Sequence, residues 1–262
     1  MRLVLLTGLL TLMLAAPAQA ITNGTADTGR HPNVGALVAA DWYRPGQKDV
    51  LCTGTLISPT VFLTAAHCTT YLESLGISQV WVSFDEQFSS TAKLYEGRMY
   101  SHPLYGHDEH DSHDIAVIVL RQAVKGITPA RLPTAGLFDQ MKSAGTLSSQ
   151  LFTNVGYGGQ ERALEPGGPS FSYNDAREVS VSAFDALNDT YMRLSQNAAT
   201  GDAGTCYGDS GGPQFLGAGS TETNIVVTTT ITGDSQCVST NVTYRLDTAS
   251  ARAFLAQFVT LP

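Results

Sequence analysis

Residues 204–213 read Gly204-Thr205-Cys206-Tyr207-Gly208-Asp209-Ser210-Gly211-Gly212-Pro213, and the rest of the chain is organised around them. A single serine, Ser210, lies among glycines, directly after an acid and four residues after a cysteine. Glycine lets a backbone turn tightly and direct its N–H groups into a small space. A serine hydroxyl is a weak nucleophile unless a base lies beside it. The stretch therefore predicts a nucleophilic serine, which requires a histidine to activate it and a carboxylate to orient that histidine.

Two upstream segments supply those groups. The segment Thr64-Ala65-Ala66-His67-Cys68 contains a histidine, and Asp114 directly precedes the apolar run Ile115–Leu120. In these segments, and in their order along the chain, the sequence resembles the trypsin/chymotrypsin-like serine peptidases. The hallmarks of that family are T-A-A-H-C, D-I-A and G-D-S-G-G-P. The resemblance covers nearly the whole chain after residue 20.

The resemblance implies acyl transfer to a serine and hydrolysis of peptide bonds in polypeptide substrates. Ser210 would be the nucleophile, His67 the general base, and Asp114 the carboxylate that orients the imidazole. The backbone N–H groups of Gly208 and Ser210 would bind the oxyanion that forms during the reaction. The expected activity is therefore that of a serine endopeptidase that needs no metal or other cofactor.

The resemblance also implies an all-β fold of two antiparallel six-stranded β-barrels with a C-terminal α-helix. The residue pattern agrees, because short runs of apolar and β-branched residues alternate with Gly, Pro, Asp and Ser, which is typical of barrels and sandwiches. The runs predict strands at Val34–Ala40, Leu51–Ser58, Val61–Thr64, Val80–Phe84, Ile115–Leu120 and Gln150–Val155.

Three other segments have distinct patterns. Residues 121–144 contain prolines and a glycine and are expected to connect the two lobes. Residues 158–169 are rich in Gly and Pro, which predicts a mobile loop. Apolar residues within 251–258 follow the i, i+3, i+4, i+7 spacing of one helix face, and Asp247 or Thr248 could cap the start of that helix.

Residues 1–20 predict a secretory signal peptide. Arg2 gives a basic start, Leu3–Ala16 is nearly all apolar, and Pro17–Ala20 offers an A-x-A cleavage site after Ala20. The alternative is a membrane anchor, but the apolar run falls short of the roughly 20 residues that a membrane span needs. We therefore expect a secreted, extracellular protein without a membrane anchor.

Residues 21–262 are then expected to form one peptidase domain, with lobes at roughly 21–128 and 129–262. The formal net charge of the chain is −8. An acidic chain lacks the basic surface that recognises nucleic acid, so no nucleic-acid partner is expected. Nothing in the pattern indicates an oligomer, so a monomer is expected, and protein inhibitors remain possible partners.

The segment Ile21–Gly24, directly after the predicted cleavage site, is similar to the I-V-G-G start of mature family members. The resemblance implies that the new α-amino group of Ile21 folds inward and pairs with Asp209. A buried carboxylate is costly without a cationic partner, which supports this pairing. We hypothesise that signal cleavage itself creates the active N-terminus without a propeptide stage; the alternative is a cleavage site at another position.

The four cysteines of this exported chain predict two disulfides. The resemblance pairs Cys52 with Cys68, beside the predicted base, and Cys206 with Cys237, beside the predicted nucleophile. A metal site at the first pair is the alternative, but no further cysteine lies near it in the sequence.

Residues 101–114 hold four of the six histidines and four carboxylates. Histidines with carboxylates can bind zinc, but the spacing matches no recognised metal motif. A polar, solvated loop without a metal is therefore the preferred interpretation. Asp114 is the predicted catalytic carboxylate because it alone directly precedes the apolar run, whereas Asp108 and Asp111 are expected to be exposed.

The predicted specificity pocket departs from that of trypsin, which carries an aspartate six residues before its catalytic serine. Gly204 takes that place here, and Thr205 and Gly233 are expected to line the walls. Such a pocket favours an uncharged side chain in the substrate residue before the scissile bond, the P1 residue. Asp202 could supply a charge only if the loop were shifted.

Two other functions are compatible with parts of the sequence. A catalytically silent homologue with the same fold could act as a binding protein, but the triad and the serine-loop glycines are all present. An esterase of the α/β-hydrolase class would need a G-x-S-x-G elbow, and residues 208–212 match that spacing. That class has the order serine, acid, histidine, which this chain does not follow.

Overall fold

The structure, a computed structural model, describes residues 21–160, 162–166 and 168–262. The predicted signal peptide lies outside these residues. Within them, fifteen strands and three α-helices are joined by turns. Two sets of six strands each close into an antiparallel β-barrel, and a helix lies near the end of the chain. The fold class predicted from the sequence is therefore confirmed.

The first barrel precedes the second in the chain. The strands of this half are β1 (Thr25–Ala26), β2 (Val34–Ala40), β3 (Lys48–Ser58), β4 (Val61–Thr64), β5 (Val80–Ser83), β6 (Tyr95–Ser101) and β7 (Ala116–Leu120). The barrel closes in the order β2-β3-β4-β7-β6-β5, because β5 pairs back onto β2. Strands β2 and β4 have the predicted bounds, whereas β3 begins three residues earlier than predicted.

Successive side chains of a strand point to opposite sides, and both faces of β2 are buried. Leu37 and Ala39 pack in the interior of the first barrel. Val34, Ala36 and Val38 pack in a cluster that also contains residues of the second barrel and the terminal helix. A fully buried valine or leucine contributes about 1.5–3 kcal/mol. This apolar contact holds the two barrels against each other.

The second barrel uses most of the remaining strands. They are β8 (Leu151–Gly156), β9 (Arg162–Glu165), β10 (Gly168–Phe171), β11 (Glu178–Leu187), β12 (Tyr191–Ser195), β13 (Pro213–Leu216), β14 (Val226–Gly233) and β15 (Thr240–Arg245). The order β11-β12-β15-β14-β13-β8 closes through a β8–β11 pairing, and β1 adds to β11. Strands β9 and β10 form a separate antiparallel pair, so the predicted loop at 158–169 is partly a hairpin whose backbone groups pair with each other.

The helices are α1 (Ala66–Ser74), α2 (Leu137–Ser143) and α3 (Ala249–Leu255). Helix α3 confirms the spacing argument, and the Thr248 side chain caps it by accepting the N–H of Ala251. Asp247 instead accepts the N–H of Phe138 at 2.9 Å, at the start of α2. Helices α1 and α2 were not among the elements predicted from the sequence. Within the described residues, none of the helices has the length and apolarity needed to cross a membrane.

Candidate active site

His67 and Asp114, predicted from separate segments, lie in contact. His67 is in the first turn of α1, and Asp114 lies two residues before β7. The ring Nδ1 of His67 is 2.7 Å from Oδ2 of Asp114, and the backbone N–H of His67 donates to Oδ1 at 2.8 Å. Asp114 is buried, whereas the His67 side chain is 29% exposed. This arrangement holds the ring with Nδ1 toward the carboxylate and Nε2 away from it.

A tight backbone turn presents Asp114 to His67. The N–H of Ile115 donates to the carbonyl of His113 at 2.8 Å, which makes a three-residue turn centred on Asp114. His113 has a φ of 50°, a conformation that costs free energy for a residue with a Cβ. Burial of the His113 ring compensates, since its Nδ1 lies 3.0 Å from Oγ of Ser250 on α3.

Ser210 lies in a turn between glycines with left-handed backbone, Gly208 at φ 96° and Gly211 at φ 78°. A side chain at Gly211 would overlap Thr64 of the first barrel. The carbonyl of Ser210 accepts the N–H of Thr53, also of the first barrel, at 2.9 Å. The serine turn of the second barrel is therefore held directly against the first barrel.

Hydrogen bonds to carbonyls fix the direction of two N–H groups in this turn. The carbonyl of Tyr207 accepts the N–H of Gly159 at 2.6 Å, and the N–H of Gly208 belongs to the same peptide unit. In a planar trans peptide the N–H points opposite to the C=O. The carbonyl of Asp209 also accepts a backbone N–H at 2.8 Å, which fixes the N–H of Ser210 in the same way.

Asp209 is fully buried behind the serine turn. Its Oδ1 accepts the N–H of Gly158 and its Oδ2 accepts the N–H of Cys206, each at 2.8 Å. Burial raises the pKa of Asp209 to about 7, although the two N–H groups oppose the rise and the nearby Glu178 adds to it. A Cβ at Gly156 or Gly158 would overlap the Asp209 side chain, which explains why both positions require glycine.

Ile21 is buried near Glu178, the acid whose charge adds to the raised pKa of Asp209. Its backbone nitrogen donates to Oε2 of Glu178 at 3.3 Å. The carbonyl of the next residue, Thr22, accepts the N–H of Gly204 at 3.1 Å. Glu178 is thus an acid of this region that the sequence analysis did not single out, because its position at the start of β11 carries no motif. The predicted pair of Ile21 and Asp209 stays a prediction.

A cavity of about 290 Å³ lies beside Ser210. His67 and Ser210 line it together with Thr205 and Gly233, two of the residues predicted to form the specificity pocket. Other lining residues are Cys206, Tyr207, Thr230, Ile231, Thr232, Asp234, Ser235 and Cys237. The predicted base, the predicted nucleophile and two of the predicted pocket residues therefore line one cleft.

Gly204, the third predicted pocket residue, has no free space in front of it. A Cβ at Gly204 would overlap the side chain of Gln196, which is 1% exposed. Gln196 lies outside every motif in the sequence, and only the tertiary structure brings it to this position.

Both predicted disulfides are present. Cys52–Cys68 links β3 to α1, next to His67, and Cys206–Cys237 links the serine segment to the opposite wall of the cleft. In the chain-entropy model their closures stabilise the fold by about 3 and 3–4 kcal/mol.

The histidine-rich loop is only partly solvated. The ring of His102 stacks on His113 with centroids 4.3 Å apart. Asp111, expected to be exposed, is half-buried and accepts the hydroxyl of Tyr244 at 3.2 Å, because the loop packs on the second barrel. Asp108 is exposed as expected.

Among the described residues, no three possible metal-ligating atoms that include one from this loop lie close enough together to hold a metal ion. The group of three that does lie close together among the described residues is Cys52, His67 and Cys68. The two sulfurs of this group form a disulfide.

Comparison with known proteins agrees with this fold. The family model described as Trypsin matches residues 25–251. A protein named Trypsin from Saccharopolyspora erythraea is 29% identical over 199 residues, which is 73% of this chain and 79% of the relative. The chain therefore belongs to the trypsin family. It is a serine endopeptidase, a hydrolase of the trypsin class that acts on polypeptides.

Proposed function

We propose that this protein is a secreted endopeptidase that uses His67, Asp114 and Ser210 as a triad and cleaves after uncharged P1 residues. The observation that carries the triad is the hydrogen-bonded pair of His67 and Asp114 in the cleft that Ser210 also lines. The predicted signal peptide and the two disulfides support secretion, since disulfides persist in oxidising compartments.

In the proposed reaction, Oγ of Ser210 attacks the substrate carbonyl and transfers its proton to Nε2 of His67. The imidazolium then gives this proton to the leaving amine as the peptide C–N bond breaks. Water attacks the resulting ester by the same route and releases the carboxylate product and free Ser210. Asp114 stabilises the imidazolium through Nδ1 and keeps Nε2 directed to the nucleophile.

The oxyanion would be bound by the N–H groups of Gly208 and Ser210, whose directions are fixed by hydrogen bonds to the neighbouring carbonyls. Loss of one such donor typically costs about 3–4 kcal/mol of transition-state stabilisation. Because these donors are ordered before substrate binds, no free energy is spent on orienting them during the reaction.

Signal cleavage after Ala20 would free the α-amino group of Ile21 in a region that holds two buried acids. Asp209 and Glu178 are both buried, and Glu178 already lies 3.3 Å from the Ile21 nitrogen. A cation there would lower the free energy of the charged Asp209, whose pKa burial raises to about 7. N-terminal sequencing of the secreted protein tests this step, and a start other than Ile21 would contradict it.

The function is tested with mature protein that begins at Ile21, assayed on peptides that differ only at P1, with Ser210→Ala as control. Cleavage after uncharged residues that vanishes in the control is expected. Cleavage after Lys or Arg would support the proposed peptidase activity but contradict the proposed preference for uncharged P1 residues. Folded mature protein without Ser210-dependent cleavage would favour the silent binding homologue instead.

A further inference from the structure

Gln196 fills the space that a pocket-floor side chain would otherwise occupy. It directly follows β12, and its backbone N–H donates to the carbonyl of Ser239 at 2.9 Å. Its side chain lies where a Cβ on Gly204 would be placed, and its Oε1 accepts the N–H of Thr205. Hydrogen bonds therefore hold both the backbone and the side chain of Gln196, and the residue is nearly inaccessible to solvent.

This position matters because the aspartate of trypsin that lies six residues before the catalytic serine corresponds to Gly204. At that place the present chain has a glycine, and the side-chain amide of Gln196, the residue after β12, fills the space. Thr205, which bonds that amide, lines the cavity beside Ser210. Behind Thr205, this part of the cleft therefore has an uncharged amide instead of a carboxylate.

A second amide lies next to this region. Asn241 is fully buried on β15, opposite Gly233 in the strand register. Its Nδ2 donates to Oγ1 of Thr230 at 3.3 Å, and Thr230 lines the cavity. Its Oδ1 has no hydrogen-bond partner among the described residues. Two buried amides therefore lie behind Thr205 and Thr230, which line the cavity.

We propose that Gln196 sets the depth and the polarity of the P1 pocket and restricts it to short uncharged side chains such as alanine, valine and threonine. The inference rests on the proposed peptidase function and names its substrate class. Gln196 is a specificity determinant that acts by filling space. Phenylalanine or leucine would compete with its side chain for the same space, and lysine or arginine would find no carboxylate.

The test compares kcat/KM of mature enzyme, Gln196→Ala and Gln196→Glu on peptides with alanine, valine, phenylalanine, leucine or lysine at P1. Each preparation is normalised by titration of functional active sites, so incomplete folding does not distort the comparison. Asn154→Ala is the matched control, because Asn154 is a buried amide of the same barrel that bonds Ser180 and Ser182.

We expect the unmodified enzyme to prefer alanine or valine to phenylalanine by about tenfold or more, as pocket-size differences usually give. Gln196→Ala should raise the phenylalanine and leucine rates relative to alanine by about tenfold. Gln196→Glu retains the side-chain volume and the acceptor for Thr205, and it should raise lysine relative to alanine. Asn154→Ala should leave the order of preference unchanged.

An unmodified enzyme that cleaves after phenylalanine or leucine as well as after alanine, with the same order in Gln196→Ala, would overturn this inference and leave the proposed peptidase intact. A shift in preference as large in Asn154→Ala as in Gln196→Ala would also overturn it. The absence of Ser210-dependent cleavage would instead overturn the proposed function, and the inference would fall with it.

Discussion

At the scale of single residues, Asp114 accepts two hydrogen bonds from His67. One carboxylate oxygen accepts the His67 ring N–H and the other accepts the backbone N–H of the same residue. Charge-assisted hydrogen bonds are about twice as strong as neutral ones. The carboxylate therefore orients both the ring and the start of α1.

Asp114→Asn should lower kcat by about 10⁴, as loss of the orienting charge does in serine peptidases, while the fold is retained. The amide has one acceptor instead of two, so it cannot satisfy both N–H groups and favours the wrong histidine tautomer. Steady-state kinetics with thermal melting measure the two effects. Asp108→Asn is the control in the same loop, where the exposed carboxylate accepts only local N–H groups. An equal loss of kcat in the control would contradict the assignment.

Gly156→Ala should destabilise the protein by several kcal/mol and abolish activity, because the new Cβ would overlap the buried carboxylate of Asp209. Denaturant unfolding and peptidase assays measure both effects. Gly159→Ala is the matched control, since its Cβ would meet only Tyr173 and Phe171 at 3.3–3.4 Å. Comparable activity in the two variants would refute the close packing around Asp209.

At the scale of elements, a buried ionic network holds the segment between β1 and β2. His31 lies between two carboxylates, with Nδ1 on Asp27 and Nε2 2.6 Å from Glu222. Arg177 pairs with the other oxygen of Asp27 at 2.8 Å. Burial lowers the pKa of His31, but the hydrogen bonds to the two acids outweigh this and raise it above its ordinary value.

The raised pKa of His31 means that protonation favours the folded state. Its contribution is complete below the ordinary histidine pKa of about 6.5 and is lost as the pH rises through the raised folded value. His31→Gln should therefore cost about 2 kcal/mol of unfolding free energy near pH 6 and less at alkaline pH. Urea unfolding at several pH values measures the difference from the unmodified protein.

The charged groups around His31 include Asp27, Glu222, Arg177 and Arg30. Burial raises the pKa of Asp27, but the hydrogen bonds to His31 and Arg177 outweigh burial and lower this pKa to about 2. Asp27 therefore stays charged in mild acid, and the network is lost as the pH falls toward that value. His107→Gln is the control, since His107 is exposed. A cost of His31→Gln that does not depend on pH would contradict the protonated state.

At the scale of the whole molecule, Thr53 joins the two barrels at the site. On β3 of the first barrel, its hydroxyl donates to the carbonyl of Gly208 at 2.9 Å and accepts the N–H of Tyr157 at 3.1 Å. Its backbone N–H donates to Ser210. The serine turn thus depends on a residue of the barrel that carries the histidine.

Thr53→Val should lower stability by about 1–3 kcal/mol and reduce kcat, because it leaves the carbonyl of Gly208 and the buried N–H of Tyr157 without their partner. Thr55→Val is the matched control on the same strand. The hydroxyl of Thr55 is buried and has no hydrogen-bond partner among the described residues, so its loss should be neutral or stabilising. Kinetics and denaturant unfolding of both variants test the coupling, and similar losses in both would refute it.

The sequence by itself indicated the fold family, six of the fifteen described strands and the terminal helix, and its resemblance to a known family implied the pairing of the two disulfides. The strands and the terminal helix depend on local pattern, such as the apolar spacing within 251–258, which is readable along the chain, whereas the fold family and the cysteine pairing came from the resemblance that the glycine-rich serine stretch and the two upstream segments carry. The positions of His67, Asp114 and Ser210 followed from motifs of the same kind.

Only the tertiary structure decided which side chains meet around those motifs. It brought Gln196 against Gly204, Glu178 against Ile21, and His31 between two acids. The physical reason is that barrel closure joins strands that are distant in the chain, and each contact then depends on distances and burial that no residue spacing encodes. The residues of the proposed triad could be named from the sequence, whereas the side chains packed behind the cleft were decided by the tertiary structure.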